Sequence, residues 1–335
     1  MKFTITKTGL SSHITHFGPV FCAPWVRGFY KEEPWFYFFF RILGMRWSNT
    51  TFMAKTVTLE PHNGNVPLKK NGKPKFLLSR YVYWNPFKKN MVNSFGLSNP
   101  GLYYCIRQWK EYQDPFVISI MSLKEHRQER DDEVRLVVSK LQDFAQNDAL
   151  TSFAVQFNAG CPNAGAHNTE DVQSLLDELH TRAAQLKKIG MPIFLNCSPA
   201  MPLEIILTVH KDWDAIIIGN TIMFGHECIQ DWTRVTYDGV SPLIKRGLNV
   251  LGGYSGKEAT PISVALIRAL RENGVSTPII GGNSIQSKAN VDAFHDAGAN
   301  GIIIGSLALN NPLEMADIIS YAQSLQWDDA LNQTT

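Results

Sequence analysis

From Phe116 onward, short apolar runs alternate with longer segments whose apolar residues recur every three or four positions. Phe116-Val117-Ile118-Ser119-Ile120 reads as a buried strand, and the segment after it puts Val134, Val137, Val138, Leu141 and Phe144 on one helical face. Phe153 to Phe157 is the next strand. Beyond its loop, Thr169 is placed to cap a helix carrying Val172, Leu175, Leu176, Leu179, Ala183 and Leu186, with Gly190 just past its end. A strand at Pro192 to Leu195, a helix at Leu203 to Val209 and a strand at Ala215 to Gly219 follow. A polar stretch from Thr233 to Leu248 breaks the rhythm. It resumes with a helix opened by Pro261 and stopped near Gly274, a strand at Pro278 to Gly281, a helix at Lys288 to Ala297, a strand at Gly301 to Gly305 and a closing helix at Pro312 to Leu325.

Near-continuous apolar strands separated by helices predict a parallel sheet buried on both faces. With Pro19 to Cys22, Phe52 to Lys55 and Asn249 to Gly253 counted as further strands, there are about eight repeats, the number a (β/α)8 TIM barrel requires. Such a barrel typically takes about 250 residues, so a chain of 335 has room for loop insertions, placed at about 60–90 and 233–251. No Pro-, Gly- or Ser-rich linker divides the chain, and one domain over 1–335 is expected. The rival, a doubly wound open sheet, lacks the Gly-x-Gly-x-x-Gly turn after its first strand.

The hydrophobic fraction of 44% excludes a disordered or fibrous chain. Lys+Arg 32 against Asp+Glu 30 leaves a net charge of +2, too balanced for a nucleic-acid or anionic-membrane surface on charge alone. Cys22, Cys105, Cys161, Cys197 and Cys228 are odd in number and widely spaced, which suits neither a disulfide framework nor a metal site and points to a reducing cytoplasm. Met1 to Pro24 lacks the pattern of a secretory leader. The longest aromatic-apolar run, Trp35 to Phe40, is far short of the roughly 20 residues of a spanning helix, so no transmembrane segment is expected.

In a barrel, chemistry gathers at the C-terminal ends of the strands. Lys55-Thr56, Asn158 to Asn163, Asn196 and Asn220-Thr221 stand at such ends, and Asn93 to Gly101 precedes the strand at Phe116. Small-residue turns follow at Gly252 to Gly256, Gly281 to Ser284 and Gly305-Ser306. Glycine there can merely tighten a turn, but three such turns in the last third favour a phosphate-bearing cofactor held by backbone N–H groups. Converging asparagine amides suit a flat heterocycle with alternating donors and acceptors. Cys161 sits in a loop between asparagines, where a tuned thiol can serve as a base.

These segments resemble the dihydroorotate dehydrogenase family over nearly the whole chain, from about Pro19 to Ile319. Asn158-x-x-Cys161-Pro162-Asn163 is similar to the family's active-site loop, and Asn93-Ser94-Phe95-Gly96-Leu97-Ser98-Asn99-Pro100-Gly101 to its substrate segment. Ala54-Lys55-Thr56, Gly64-Asn65-x-Pro67, Asn220-Thr221, Gly252-Gly253-x-Ser255-Gly256 and the stretch from Gly298-Ala299 to Gly305-Ser306 match further motifs. The resemblance implies FMN-dependent oxidation of dihydroorotate to orotate in de novo pyrimidine biosynthesis. Cys161 would take the C5 proton while the C6 hydride passes to flavin N5; cysteine at that place is similar to the soluble cytosolic class. Lys55, Asn93, Phe95, Gly96, Leu97, Asn158, Asn163, Asn220 and Thr221 would hold the substrate. Ala23, Lys55, Thr56, Asn93, Asn158, Asn196, Ser255, Gly256, Asn283, Ser284, Gly305 and Ser306 would hold FMN. No metal is implied, and a homodimer is expected from the soluble class.

Three positions depart from the family pattern. Asn196 stands where the family has a lysine near the flavin pyrimidine edge, Asn283-Ser284 replaces a Gly-Gly pair, and Trp25 follows the first strand where the family has a small residue. They keep two alternatives open: a flavoprotein acting on another cyclic amide or enone, and a non-catalytic homologue that binds a nucleotide-like ligand or partner. The aromatic run Trp35 to Phe40 falls where the first barrel helix belongs. It is expected to be a helix packed on the barrel or at a subunit contact, with a peripheral membrane or partner patch as the alternative.

Overall fold

The computed structural model describes residues 1–5, 13–33, 37–69, 72, 75, 79–147, 152–159 and 172–328. Eight parallel strands close a barrel. They are β1 (Val20–Cys22), β2 (Thr51–Met53), β3 (Phe116–Ile120), β4 (Phe153–Asn158), β5 (Ile193–Cys197), β6 (Ala215–Ile218), β7 (Ile279–Gly281) and β8 (Gly301–Ile304). β8 pairs with β1 through Ile302 and Val20, which seals the ring. A helix follows each strand: α1 (Tyr37–Ile42), α2 (Leu102–Trp109), α3 (Arg127–Asn147), α4 (Val172–Lys187), α5 (Leu203–Val209), α6 (Thr260–Glu272), α7 (Lys288–Asp296) and α8 (Met315–Ser324).

The strands read as near-continuous apolar runs because each is covered on both sides. Phe153, Val155 and Phe157 of β4 join the layer between barrel and helices, together with Val134, Val137, Leu141 and Phe144 of α3. Ala154 faces the interior with Val117, Phe194, Ala215, Ile217, Ile280 and Ile303. The period of two then brings polar residues inward as each strand nears its C-terminal end: Ser119 on β3, Gln156 and Asn158 on β4, Asn196 on β5. An antiparallel hairpin of Lys2–Ile5 and His13–His16 belongs to the opposite end. There Phe3 and Phe17 pack on Phe194, with ring centroids 5.3 and 6.1 Å away, so the barrel is apolar at its floor and polar at its mouth.

Three expectations need correction. Asn249 to Gly253 supplies no barrel strand. Gly253–Ser255 instead joins Ile222–Met223, Asn90–Asn93 and Val82–Asn85 in a separate four-stranded antiparallel sheet. Gly252 turns the chain into it at φ +83°, where a Cβ would lie 2.7 Å from Leu243 and 2.8 Å from Val92. This sheet covers its own apolar cluster, including Val92, Phe224, Val235 and Tyr254. Next, the closing helix expected from Pro312 to Leu325 begins three residues later, as α8, and a separate short helix, Leu307–Asn310, precedes it. Lastly, Val172 opens α4 exposed, and Thr169 lies outside the described residues.

The aromatic helix is only half packed. Tyr37 is buried and Phe40 partly so, but Phe38, Phe39, Ile42 and Leu43 are more than half exposed. A helix of six residues makes under two turns, so only positions about three apart can face the barrel. Trp35 and Phe36 lie outside the described residues.

The hairpin between Val82–Asn85 and Asn90–Asn93 turns through Lys89 at φ +51°, a left-handed conformation that favours glycine. Lys89→Gly should therefore raise the unfolding free energy by about 1 kcal/mol, read as a shifted urea midpoint with an unchanged m-value.

Between α3 and α4 lies a buried charge cluster. Glu178 accepts from Arg130 Nε at 3.1 Å and Nη2 at 2.8 Å, and from Arg182 Nη2 at 3.1 Å. Arg182 also pairs with the Asp131 carboxylate and donates to Gln185 Oε1 at 2.8 Å. Arg130, Glu178 and Arg182 are all at most 1% exposed.

Candidate active site

The strand ends of the barrel are joined by a run of side-chain hydrogen bonds. Gln156 Nε2 donates to Ser119 Oγ at 3.0 Å, and Ser119 shares a 2.8 Å bond with Thr56 Oγ1. Asn158 Nδ2 donates to Thr56 Oγ1 at 3.2 Å, while Asn158 Oδ1 accepts from Asn196 Nδ2 at 3.3 Å and Asn220 Nδ2 at 2.8 Å. Asn220 Oδ1 caps the Thr221 N–H at 2.8 Å, and its backbone carbonyl accepts from Asn283 Nδ2 at 2.9 Å. Thr56, Asn158, Asn196, Asn220 and Asn283 thus form one connected arc from the end of β2 to the end of β7. The acceptor of Asn158 is used twice within the arc, which leaves one N–H on each of Asn196 and Asn220 to donate elsewhere.

Lys55 stands beside this arc. Its Nζ lies 5.2 Å from the Phe29 ring centroid and 4.8 Å from that of Phe95. Among the described residues no carboxylate reaches ion-pair distance of it. Burial pulls its pKa down to about 8, opposed by the charge of Glu32, whose own carboxyl is raised by burial while it accepts from the Phe29 and Tyr30 N–H groups. At neutral pH Lys55 is therefore a cation held among aromatic rings, where an incoming anion gains most.

The Asn93 to Gly101 segment is shaped by its neighbours. Gly96 and Leu97 both have positive φ, +62° and +55°. A Cβ on Gly96 would meet Asn65 Nδ2 at 2.9 Å; Asn65 Nδ2 in turn donates to the Ser94 carbonyl at 3.0 Å, and the Asn65 backbone N–H donates to the Phe95 carbonyl at 3.0 Å. The Gly64-Asn65 turn is thereby tied to the backbone of Ser94 and Phe95. Asn93 ends its strand paired with Gly253 and is buried. Asn99 is structural: its Oδ1 accepts from the Thr58 and Gly101 N–H groups at 3.2 and 2.9 Å.

The small-residue turns close the other side of the mouth. Asn283 and Ser284 follow β7 at φ +79° and +70°, so the backbone keeps a glycine-type shape while carrying side chains. Gly305 and Ser306 follow β8, and Gln286 Nε2 donates to Ser306 Oγ at 2.9 Å and to Ser284 Oγ at 3.4 Å. A Cβ on Gly305 would lie 3.0 Å from Ala23 and 3.1 Å from Trp25 Nε1, which sets the Trp25 indole directly against this turn. Ser255 and Gly256 end the strand of the side sheet, and the Tyr254 hydroxyl lies over Gly256 while donating to Glu258. Burial and that bond raise the Tyr254 pKa.

The structure thus gathers Ala23, Lys55, Thr56, Asn158, Asn196, Asn220, Thr221, Asn283, Ser284, Gly305 and Ser306 at or just beyond the strand ends, with Asn93, Phe95, Gly96, Leu97, Ser255 and Gly256 on the segments bordering them. Cys161 and Asn163 lie outside the described residues. Ser119, Gln156 and Gln286 were not singled out from the sequence. The step of two between Gln156 and Asn158, and the polar Ser119 within an apolar strand, were the available signs of the first two.

Three buried side-chain oxygens at or beneath this mouth, Gln156 Oε1, Asn283 Oδ1 and Gln286 Oε1, have no hydrogen-bond partner among the described residues. Together with the free amide N–H groups, the Lys55 cation and the three small-residue turns, they fit a polar ring system carrying an anionic phosphate arm. No group of His, Cys, Asp and Glu able to hold a metal occurs among the described residues. No helix among them is long and apolar enough to cross a membrane.

Comparison with known proteins agrees with this geometry. Residues 45–324 match the family model described as dihydroorotate dehydrogenase. The chain is 24% identical over 281 residues to the dihydroorotate dehydrogenase B (NAD(+)) catalytic subunit of Thermotoga maritima, covering 80% of this chain and 86% of that protein. It is 26% identical over 319 residues to the corresponding protein of Anoxybacillus flavithermus, covering 92% and 86%. A crystal structure of DHODH from Eimeria tenella in complex with ferulenol shares the fold at a TM-score of 0.64, with 15% identity over 95% of this chain and 82% of that one.

Proposed function

Because the chain belongs to the dihydroorotate dehydrogenase family, whose members are oxidoreductases acting on CH–CH bonds, we propose that it oxidises dihydroorotate to orotate with FMN. The observation that carries this reading is Lys55, a cation with no carboxylate at ion-pair distance among the described residues, beside an arc of asparagine amides. The relatives carry the activity in their names and support the same substrate.

Ala23, Thr56, Asn196 and the turns at Ser255-Gly256, Asn283-Ser284 and Gly305-Ser306 are the residues that would hold FMN. When bound, FMN supplies the hydride acceptor. Lys55 pairs with the substrate carboxylate, and Asn93, Asn158, Asn163 and Asn220 fix the ring through its amide edges. Cys161 takes the C5 proton as its thiolate becomes a thiol. The Trp25 indole lies against the turn at Gly305.

Two results follow from these roles. Orotate affinity should be flat with pH below about 8 and fall tenfold per unit above it, because free Lys55 loses its proton there and a neutral amine attracts no carboxylate; calorimetric titration from pH 6 to 9 reads this. Cys161→Ser should slow anaerobic flavin reduction by about 100-fold, and an unchanged rate would remove Cys161 from the mechanism.

The reading as a whole is tested by the visible spectrum of the purified protein, followed by dihydroorotate added without air. The flavin band should bleach. A band that persists would sink the dihydroorotate reading, and a colourless protein unable to take up FMN would mark a non-catalytic homologue. Asn196 favours a second reading, the same flavin scaffold acting on another cyclic amide or enone. Its amide is engaged with Asn158, and a neutral donor there is about half as strong as a charge-assisted one. Bleaching by such a compound but not by dihydroorotate would establish it.

A further inference from the structure

Gln286 is nearly enclosed, at 8% exposure, just ahead of α7, and Asn290 Oδ1 holds its backbone N–H at 2.9 Å. Its side chain spans two turns that come from different strands, Ser284 beyond β7 and Ser306 beyond β8, themselves 6% and 5% exposed. The amide nitrogen has two hydrogens and spends one on each hydroxyl, at 3.4 and 2.9 Å. A hydroxyl that accepts in this way keeps its own hydrogen to donate. Neither hydroxyl has another partner among the described residues, so both hydrogens are available to the mouth. The N–H groups of Ser284 and Ser306 likewise donate to no carbonyl among those residues. The result is four donors around one small space, with no carboxylate bonded to any of them.

We propose that Gln286 is a positioning residue for the phosphate of the cofactor: its amide sets the Ser284 and Ser306 hydroxyls as a donor pair facing a phosphate monoester. The assignment rests on the flavin reading and extends it, because a backbone cradle alone needs no glutamine. Gln286 explains why the Gly-Gly pair of the family pattern can be Asn283-Ser284 here. The Ser284 side chain is not in the way of the anion; it is one of its donors. The Gln286 Oε1 is buried and has no hydrogen-bond partner among the described residues, so the amide's fixed work is done by its nitrogen.

The test compares FMN with riboflavin, which lacks only the phosphate. Dissociation constants are read from flavin fluorescence for the full chain and for Gln286→Glu, Gln286→Leu and Ser306→Ala, with thermal melts to establish folding. A carboxylate at 286 can only accept, so it turns both hydroxyls away from the phosphate and adds a like charge. Gln286→Glu should weaken FMN by about 100-fold and riboflavin by less than about 5-fold. Gln286→Leu and Ser306→Ala, which add no charge, should each weaken FMN by about 10-fold and spare riboflavin. Equal losses for both flavins, or no loss for either, would overturn the assignment while leaving the flavin reading intact. A wild-type protein that takes up neither flavin, or does not prefer FMN, would overturn the flavin reading and the assignment with it.

Discussion

Glu178→Ala should destabilise the protein by about 3–5 kcal/mol, a larger loss than most core truncations cause. The reason is what remains. Arg130 and Arg182 are at most 1% exposed and direct three N–H donors at the Glu178 carboxylate. Without it, two guanidinium groups lose their shared counter-ion in a region closed to water, and neither can shed its charge by deprotonation. Asp131 and Gln185 compensate Arg182 in part. For a chain of this size the melting temperature should drop by roughly 5–10 °C. Replacing Arg130, Glu178 and Arg182 together by Met, Leu and Met should cost much less, because no charge is then stranded. A single variant as stable as wild type would mean that the two arginines reach solvent.

Lys55→Met should lower orotate affinity and kcat/KM for dihydroorotate by about 1000-fold, the equivalent of roughly 4 kcal/mol. Methionine preserves the length and packing of the side chain between Phe29 and Phe95, so the change isolates the charge. It also removes a partly buried cation with no carboxylate at ion-pair distance among the described residues, and the melting temperature should hold or rise. Loss of substrate affinity with retained stability is the signature of a group kept for its ligand. Stopped-flow reduction and equilibrium titration would read the two effects separately, and near-normal orotate affinity would take Lys55 out of the substrate site.

Much of the barrel was legible because burial on both faces writes itself into composition. The limits of Phe116–Ile120 and Leu203–Val209 follow from the apolar pattern alone. Asn249 to Gly253 misled because an apolar run bounded by glycines looks the same whether it pairs in a barrel or in an antiparallel side sheet; only its partners, Ile222–Met223 and Asn90–Asn93, which join Gly253–Ser255, decide between them. The exposed face of α1 was hidden for a related reason, since six residues are too few to display a period. At the site, the asparagines announced themselves as amides at strand ends. Gln156 and Ser119 did not, because a polar residue inside an apolar strand shows its purpose only once its cross-strand partner is known. Gln286 lay beyond local reading altogether, for its partners come from two turns 20 or so positions apart.

The polarity gradient along the barrel axis has a further consequence. Below Gln156 and Ser119 the interior is filled with hydrocarbon, and Phe3 and Phe17 stop its far end. No chain of water or exchangeable protons can thread such a column. Among the described residues the polar side chains of the barrel interior lie at one end, bordered by Trp25 and the segments carrying Phe95 and Gly256. The barrel is a vessel stoppered with hydrocarbon at its floor and lined with amides at its rim.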